Sequence, residues 1–474
     1  MTIRPRSLLI VLILACLVRE APIRALDRRP GSSPGDIDWK AYEDMAVDLM
    51  QRYLRINTSN PPGNEMATAQ FLKSTLAREG VQSEIFEYTP GRANIIARIK
   101  GDGSKRPIIL LSHMDVVTAD AAKWRVDPFS GEILEGSIYG RGALDMKSEG
   151  LLQLMTMIII ARERPHLTRD VVFLATADEE VGDTGSIWMI ANKSDLFKDA
   201  EYLVTEGGDN LREGETVKYV GVDVAEKAPY WLQLTAAGEP GHGSRPIADS
   251  APNRLVRAMD KIVGYETPMK VLPAVEKFFR DIAPLQPVDV RAKFENVREA
   301  IKDPKFVKFV AGSREYNFMF RNTIALTMMN GSKQTNVIPN AATCNLDVRL
   351  LPGENPQLLL AELEKVIADP TIKVENINGF KPPNSSPIDT DLFRAVSTVE
   401  KSHHPEAIIT TRMLSGYTES QLYRQLGIIC YGWSPIATTS QENEGVHGNN
   451  ERITVENVRE GTQEMYEVVA TLGR

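Results

Sequence analysis

The order of apolar runs along the chain predicts helices that alternate with buried strands. In some runs the apolar residues recur at helical spacing. In others they are continuous or rich in β-branched residues. The predicted elements are, in order, helix 38–56, helix 65–79, strands 83–87, 93–99 and 107–113, helix 148–162 and strand 171–176. Such a succession predicts an α/β domain with a mostly parallel sheet, because parallel strands need crossover helices.

The pattern changes near Lys227, where strands begin to alternate between apolar and polar residues, as in a sheet with one solvated face. The predicted elements there are strand 230–235, helix 251–264, strands 322–329 and 342–350, helix 355–368 and strand 372–377. This βαββαβ order predicts a two-layer unit, interrupted by extra helical residues over 265–318. We therefore predict a catalytic α/β domain over 26–228 and 381–474, with a smaller domain inserted over 229–380.

The N-terminus carries the pattern of a secretory signal. Arg4 and Arg6 precede a short apolar run over 8–18, and cleavage after Ala25 is predicted. The run is short for a membrane span, although an uncleaved anchor is the alternative. We expect an exported protein, periplasmic or secreted, with no transmembrane span in the mature chain. Ile13-Leu14-Ala15-Cys16 also loosely resembles a bacterial lipoprotein site, which leaves anchoring through Cys16 open.

Composition narrows the function classes only slightly. The formal net charge of −8 argues against a nucleic-acid partner. Beyond Cys16, the chain has only Cys344 and Cys430, each within a strand-like apolar run, and we expect both to be buried free thiols. The sequence is therefore not that of a disulfide-stabilised scaffold.

Acidic and histidine residues follow several of the predicted strands. Ligands bind beyond the carboxyl ends of the strands in open α/β sheets, so these residues are expected to gather there. The set is His113, Asp145, Glu180, Glu206 and His447. Mixed nitrogen and oxygen ligands suit zinc, with manganese or cobalt as alternatives. Three carboxylates and one hydroxide would balance two divalent cations, which favours a two-metal site.

His113 and Asp115 are two residues apart at the end of a predicted strand and are expected to share one face. In a metal site, Asp115 would fix the orientation of the His113 ring. Taken alone, the pair is equally typical of a solvated loop histidine. The acidic pair Glu179-Glu180 is likewise typical of an ordinary helix N-terminus.

The order of the motifs resembles one known family. The motifs are SHMDVV, YGRGALDMKS, ATADEEVG, TEGG, GEPGHGSRP, NVIPNAA, LDVRLLPG and HGNNE, spread over roughly residues 38–470. In these motifs the chain resembles the di-zinc exopeptidases, which include aminoacylases, glutamate carboxypeptidase, carboxypeptidase S and succinyl-diaminopimelate desuccinylase.

The resemblance implies roles for the metal-site residues. Asp145 would bridge two metal ions, with His113 and Glu206 on one ion and Glu180 and His447 on the other. Glu179 would be the general base, which takes a proton from the attacking water and returns it to the leaving amine. The resemblance also implies a cis peptide bond between Asp145 and Met146.

Residues of the inserted domain match further family positions. His242 resembles a histidine that stabilises the oxyanion in the partner subunit's site, which would require a homodimer. Asn336 and Arg349 resemble the groups that hold the substrate carboxylate. Taken alone, His242 is also typical of a turn, and Arg349 of a solvated strand face.

The chain departs from the family pattern in one loop. Many members have Gly-Thr-Asp-Ala where this chain has Ser415-Gly416-Tyr417-Thr418-Glu419-Ser420. The loop that contains Gly416 lines the substrate pocket in relatives, so the departure puts the substrate preference in doubt.

The sequence thus predicts a metal-dependent hydrolase that cleaves an amide bond next to a free carboxylate. We expect a carboxypeptidase or dipeptidase that acts on short peptides, with an N-acyl-amino-acid deacylase as the alternative. A non-catalytic binding protein on the same scaffold is disfavoured, because the predicted ligands and base are all present.

Overall fold

The fold is described by a computed structural model for residues 37–379 and 384–474. The predicted signal over 1–25, with Cys16, lies outside the described residues. Within the described ranges, no helix is both long enough and apolar enough to cross a membrane.

Strands and helices alternate along the described chain. The strands are β1 (Ser83–Thr89), β2 (Arg92–Ile99), β3 (Ile108–His113), β4 (Ile133–Leu134), β5 (Ser137–Tyr139), β6 (Val171–Thr176), β7 (Tyr202–Thr205), β8 (Asp209–Glu213), β9 (Thr216–Glu226), β10 (Ala228–Pro229), β11 (Leu232–Ala237), β12 (Gly241–His242), β13 (Thr323–Asn330), β14 (Val337–Ile338), β15 (Ala341–Leu350), β16 (Ile372–Asn376), β17 (Ile408–Leu414), β18 (Ile429–Gly432), β19 (Ala437–Thr438) and β20 (Arg452–Thr454). The helices are α1 (Trp39–Leu54), α2 (Glu65–Arg78), α3 (Lys147–Glu163), α4 (Thr184–Lys193), α5 (Ala251–Val263), α6 (Pro273–Ile282), α7 (Val288–Glu295), α8 (Val297–Ala300), α9 (Pro304–Gly312), α10 (Asn317–Phe320), α11 (Pro356–Ile367), α12 (Asp391–His403), α13 (Ser420–Arg424), α14 (Ser440–Asn443) and α15 (Val455–Leu472). Short 3-10 turns lie at Ala121–Lys123, Ser194–Leu196 and Ala283–Leu285.

A large, mostly parallel sheet forms the centre of the fold. Its strand order is β1-β2-β6-β3-β7-β18-β9-β8-β19, and β17 also pairs with β9. The central run β6-β3-β7-β18 is parallel throughout. Antiparallel pairs flank it, β1 with β2 on one side and β8 with β9 on the other. The predicted α/β class is confirmed.

Burial on both faces explains the continuous apolar runs of the central strands. Every residue of β3 and of β6 is buried. Helix α3 covers one face and is itself buried from Lys147 to Ile160, because it lies between β3 and the helices α1 and α15. A helix that is buried on all sides needs no polar face, which accounts for its Leu- and Met-rich sequence.

A second, antiparallel sheet forms the predicted two-layer unit. Its order is β10-β15-β11-β16, with β13 also paired to β15. Along β15, buried and partly exposed residues alternate, and the buried side chains share a core with α5 and α11. The chain order β11, α5, β13, β15, α11, β16 is the predicted βαββαβ. Cys344 lies in this core and Cys430 in the large sheet, and both are buried free thiols as expected.

The helical segment over 265–318 contacts the large sheet. Helix α6 packs along β17, where Thr411 Oγ1 donates to the carbonyl oxygen of Ala274 at 2.8 Å. Aromatic rings from α6 to α10 form a small core. The ring centroid of Phe279 lies 4.8 Å from that of Phe294 and 5.0 Å from that of Phe320. This segment therefore contacts the large sheet, although the predicted domain boundaries assigned it to the insertion.

Candidate metal centre

Neighbouring strands deliver acidic and histidine side chains to one edge of the large sheet. Strand β3 ends at His113, which pairs in register with Thr176 at the end of β6. The loop after β6 carries Glu179 and Glu180, and Glu206 follows β7 directly. Because β6, β3 and β7 are parallel neighbours, their carboxyl ends meet at this edge.

The turn after Glu206 requires glycine. Gly207 and Gly208 have φ angles of +114° and +74°, which residues with a side chain rarely adopt. The amide of Gly208 donates to Asp223 Oδ2 at 2.7 Å. This turn leads the chain from Glu206, directly after β7, into β8.

Asp145 lies between two imidazoles. Its Oδ1 atom is 3.1 Å from Nε2 of His113, and its Oδ2 atom is 3.1 Å from Nε2 of His447. The peptide bond between Asp145 and Met146 is cis, as expected. Each carboxylate oxygen therefore faces a different nitrogen, an arrangement that suits a carboxylate bridging two cations.

The remaining acidic side chains divide between the two imidazoles. Glu206 Oε2 lies 3.6 Å from His113 Nε2, and Glu180 Oε2 lies 3.1 Å from His447 Nε2. Two overlapping groups have ligand atoms within 4.8 Å of one another: His113 with Asp145 and Glu180, and His113 with Glu179 and Glu206. The geometry thus brings together all five residues predicted as metal ligands.

Burial makes this cluster of carboxylates electrostatically costly without cations. Burial raises the pKa of Glu206 to about 7, although the charge of His113 opposes the rise. The pKa of Glu179 is raised well above its usual range by burial and then by the charge of Glu206. Hydrogen bonds to Asp145 and Glu180 raise the pKa of His447 to about 10. Divalent cations would offset these charges, so the donor set fits a metal centre.

The His113 ring is oriented mainly by a backbone oxygen. Its Nδ1 atom lies 3.0 Å from the carbonyl oxygen of Asp115 and 3.6 Å from carboxylate oxygen Oδ1. Strand β3 ends at His113, so Asp115 lies just beyond the strand. The carboxylate of Asp115 instead accepts from the amides of Glu179 at 3.1 Å and Glu180 at 3.2 Å. The Asp115 backbone therefore contacts the ring, while its carboxylate holds the loop that carries Glu179; its role in orienting a metal-bound ring stays a prediction.

Asn60 also supports this loop through its contact with Asp115. The sequence pattern did not predict this role. The Nδ2 atom of Asn60 donates to Asp115 Oδ2 at 2.8 Å and to Asp178 Oδ1 at 2.7 Å. Asn60 lies in a loop that turns through two cis X-Pro bonds, and its only sequence signal is its place in Asn60-Pro61-Pro62-Gly63.

Glu451 is the second support that sequence reasoning missed. It is fully buried, and its Oε1 atom accepts from the amides of Leu144 at 2.7 Å and Asp145 at 3.0 Å. Its Oε2 atom accepts from the amide of Gly142 at 3.0 Å and from Arg141 Nη1 at 2.6 Å. Glu451 thereby ties the Asp145 loop to the His447 loop. Its position in the motif HGNNE was the available signal.

The loop that departs from the family pattern approaches the same region. Tyr417 donates to Asp183 Oδ2 at 2.9 Å, and burial, then the charge of Asp183, raises the pKa of Tyr417. Glu419 is buried, accepts from Thr176 Oγ1 at 2.8 Å, and has a pKa raised to about 8 by burial and Asp183. A Cβ added at Gly416 would meet no atom within 4 Å.

The predicted residues of the inserted domain lie apart from the metal ligands. His242 is exposed on β12, which pairs with β14 next to Asn336, and its Nδ1 atom contacts Ser244 Oγ at 2.8 Å. Arg349 forms an ion pair with Asp347, in which Nε lies 2.8 Å from Oδ1. Within the described part of the chain, no hydrogen bond or ion pair joins any of these side chains to the five ligands.

Comparisons with known proteins identify relatives over most of the chain. The sequence profile of peptidase family M20/M25/M40 matches residues 109–471. An N-fatty-acyl-amino acid synthase/hydrolase of Homo sapiens, PM20D1, is 27% identical over 434 residues, which cover 87% of this chain and 84% of that protein. Aminoacylase-1 of Dictyostelium discoideum is 25% identical over 402 residues, covering 84% and 90% respectively.

Solved structures share the fold. A metallo-carboxypeptidase of the M20 family from Sulfolobus solfataricus superposes with a TM-score of 0.68 at 20% identity, covering 90% of this chain and 99% of that one. A dinuclear metal-binding M20 peptidase from Bacillus subtilis gives a TM-score of 0.59 at 13% identity, covering 92% and 98%. At these identities the superpositions establish the fold alone.

Proposed function

Because the chain belongs to peptidase family M20/M25/M40, we propose that it is a two-metal hydrolase that cleaves an amide bond next to a free carboxylate. One observation supports this most strongly: the two carboxylate oxygens of Asp145 each lie 3.1 Å from a different imidazole. A bridging carboxylate between two nitrogen ligands is what a pair of cations requires.

Five side chains would hold the cations. His113 and Glu206 would bind one ion, Glu180 and His447 the other, and Asp145 both. When bound, the pair would polarise the amide carbonyl and lower the pKa of an attacking water. The nitrogen and oxygen donors suit zinc, with cobalt or manganese as alternatives.

Glu179 is placed to carry the proton between water and the leaving amine. Its amide is held by Asp115, and its Oε2 atom lies 3.9 Å from His113 Nε2. It would accept a proton as the water oxygen bonds to the carbonyl carbon. It would then donate that proton to the nitrogen as the carbon–nitrogen bond breaks.

The inserted domain would supply the substrate-carboxylate and oxyanion contacts. Arg349 offers a planar fork that suits a carboxylate. His242 lies on β12, and Asn336 directly precedes β14, the strand that pairs with β12. Because His242 is exposed and joined to none of the ligands, we propose that it serves the site of a second copy in a homodimer.

Two substrate classes have a free carboxylate next to the amide bond that is cleaved. A carboxypeptidase or dipeptidase would have a peptidyl acyl side, and an aminoacylase would have a simple acyl group. The second class is favoured by one observation, since the human relative at 27% identity is named for N-fatty-acyl-amino acids. We therefore propose short peptides and N-acyl amino acids as the substrates to compare.

A matched substrate panel tests the proposal. The zinc-loaded enzyme is assayed on dipeptides and on N-acyl amino acids of increasing acyl length, each as the free acid and as the C-terminal amide. We expect turnover of free acids and a loss of about 10²-fold or more on the amides, since the charged contact to Arg349 would be unmet. Equal rates on acid and amide would contradict the carboxylate requirement, and no turnover on either would contradict the hydrolase.

We also propose that the chain is exported, which follows from its N-terminal sequence alone. The test is N-terminal sequencing of the mature protein from culture medium or periplasm. Cleavage after Ala25 should give a chain that begins at Leu26. A chain that retains Arg4 and Arg6 in the cytosolic fraction would contradict export.

A further inference from the structure

A second cluster of histidine and carboxylate groups lies between α12 and α15, away from the residues assigned above. Glu400 belongs to α12, His404 follows its last residue, and Glu464 lies on α15. One ligand atom from each of these three lies within 4.8 Å of the others. His404 Nε2 is 3.3 Å from Glu464 Oε1, and His403 Nδ1 is 3.7 Å from the same oxygen.

One pair in this cluster has the spacing of metal ligands. Ligands of a tetrahedral zinc, at about 2.0–2.2 Å from the ion, lie roughly 3.3–3.6 Å from one another. The catalytic candidates show similar separations, 3.1 Å for His447 to Asp145 and 3.6 Å for His113 to Glu206. The distance between His404 and Glu464 falls within this range.

Glu400 has a buried oxygen with no partner. Its side chain is fully buried, and its Oε1 atom accepts from Trp433 Nε1 at 2.8 Å. Its Oε2 atom forms no hydrogen bond. An unmet carboxylate oxygen in a protein interior costs free energy, which a bound cation beside it would remove.

The surroundings are acidic. Glu464 is only 2% exposed, and Glu467 accepts from the His403 ring at 2.7 Å. Among residues 37–379 and 384–474, no lysine or arginine forms an ion pair with Glu400, Glu464 or Glu467. The cluster also lies at the C-terminus of α12, where the helix dipole favours positive charge. Burial, and then the charge of Glu464, raises the pKa of Glu400 well above its usual range.

We propose that Glu400, His404 and Glu464 form a structural site for a third metal ion, a divalent transition metal such as zinc, that joins α12 to α15. His403 is near enough to complete a fourth position. Two carboxylates and an imidazole match the donors that zinc takes, whereas calcium takes oxygen alone. His404 is 22% exposed on its side chain, which gives an ion access from solvent.

The competing arrangement is a proton shared by Glu400 and Glu464, with no metal. The variant Glu400→Gln separates the two arrangements, because glutamine has the shape of a protonated glutamate but is a poor zinc ligand. His404→Gln is the second variant, at a partly exposed position. His166→Gln is the matched control, since His166 is exposed and belongs to neither site.

The experiment measures zinc per chain and the thermal midpoint after chelation and reloading with zinc. We expect about three equivalents in the wild type and in His166→Gln, and about two in Glu400→Gln and His404→Gln. Zinc should raise the midpoint about 2–4 °C less in those two variants than in the control, with turnover retained.

Equal zinc content in all four proteins would overturn the proposal, as would a Glu400→Gln variant with unchanged zinc and a raised midpoint. The site does not depend on the proposed reaction. The difference of one equivalent between control and variants would stand even if the catalytic centre bound fewer ions.

Discussion

Glu179 and Glu180 are neighbours in sequence, but their carboxylates have different surroundings. Glu180 accepts from the amide of Val117 at 3.2 Å and lies 3.1 Å from His447. Within the described ranges, no donor forms a hydrogen bond with the Glu179 carboxylate. A fixed carboxylate suits a metal ligand, and one with free lone pairs suits a proton carrier. These contacts favour Glu180 as the proposed metal ligand and Glu179 as the proposed base.

Replacement of Glu179 tests this division. In Glu179→Gln we expect kcat to fall about 10²- to 10⁴-fold, because the amide cannot take a proton from water. Both metals should remain, because the five ligands are unchanged. Turnover and metal content are measured together, with the exposed Glu84→Gln as the control. Activity within a few-fold of the wild type would show that the base is misassigned.

Loops at the end of the sheet hold these residues through contacts that are distant in sequence. The strands that carry them were predictable, since β3 and β6 are continuous apolar runs and their ends were predicted to within one residue. The motif HGNNE draws attention to Glu451, but its partners were not predictable, because it accepts from an amide 306 residues away. Strand β8 was also missed, since the sequence Asp209–Glu213 has no apolar run.

Glu451 acts on the metal centre only through the Asp145 loop. In Glu451→Ala, several buried backbone donors lose their acceptor, so the loop should shift. We expect metal affinity to fall about 10- to 100-fold, with turnover partly restored by excess zinc. Glu444→Ala, at an exposed position of the neighbouring loop, is the control. Unchanged affinity in Glu451→Ala would contradict the positioning role.

Lys227 connects the two sheets and should make stability depend on pH. Its backbone amide donates to the carbonyl oxygen of Leu414 in β17. Its Nζ atom donates to the carbonyl oxygen of Arg321 and to Thr323 Oγ1. Burial, and then the charge of Arg349, lowers the pKa of Lys227 to about 7. Between that value and about 10.4 the unfolded chain holds a proton that the folded chain lacks, so stability should rise with pH.

The comparison with Lys227→Met measures this dependence. The free energy of unfolding is determined by urea titration at several pH values between about 6 and 10. The difference, wild type minus variant, should increase with pH by at most about 1.4 kcal/mol per unit. A difference that stays constant across the range would mean that the Lys227 pKa is not lowered.

At the scale of the whole molecule, the proposed metal ligands meet at one edge of the large sheet, whereas Arg349 lies on β15 of the second sheet and His242 on β12. The exposed position of His242 favours its action across a dimer, but the family resemblance rather than any contact in one chain assigns that role. A sequence predicts which residues are available, whereas the site that an exposed residue serves depends on how chains associate.

A mixture of two inactive variants tests action across a dimer. His242→Ala keeps its own metal site, and Glu179→Gln keeps its own His242. If His242 acts in the partner's site, subunit exchange should restore roughly a quarter of wild-type activity, because half of the dimers gain one complete site. Each variant alone should stay inactive, and a mixture without recovery would place His242 in its own chain's site. An active His242→Ala variant would place His242 outside catalysis.

The central claim is that two cations share Asp145. The most direct measurement is anomalous diffraction at the zinc edge from crystals of the zinc-loaded enzyme. We predict two peaks about 3.5–4 Å apart at this centre, one beside His113 and Glu206 and one beside Glu180 and His447, with an Asp145 oxygen at each. A single peak, or none next to Asp145, would contradict the account.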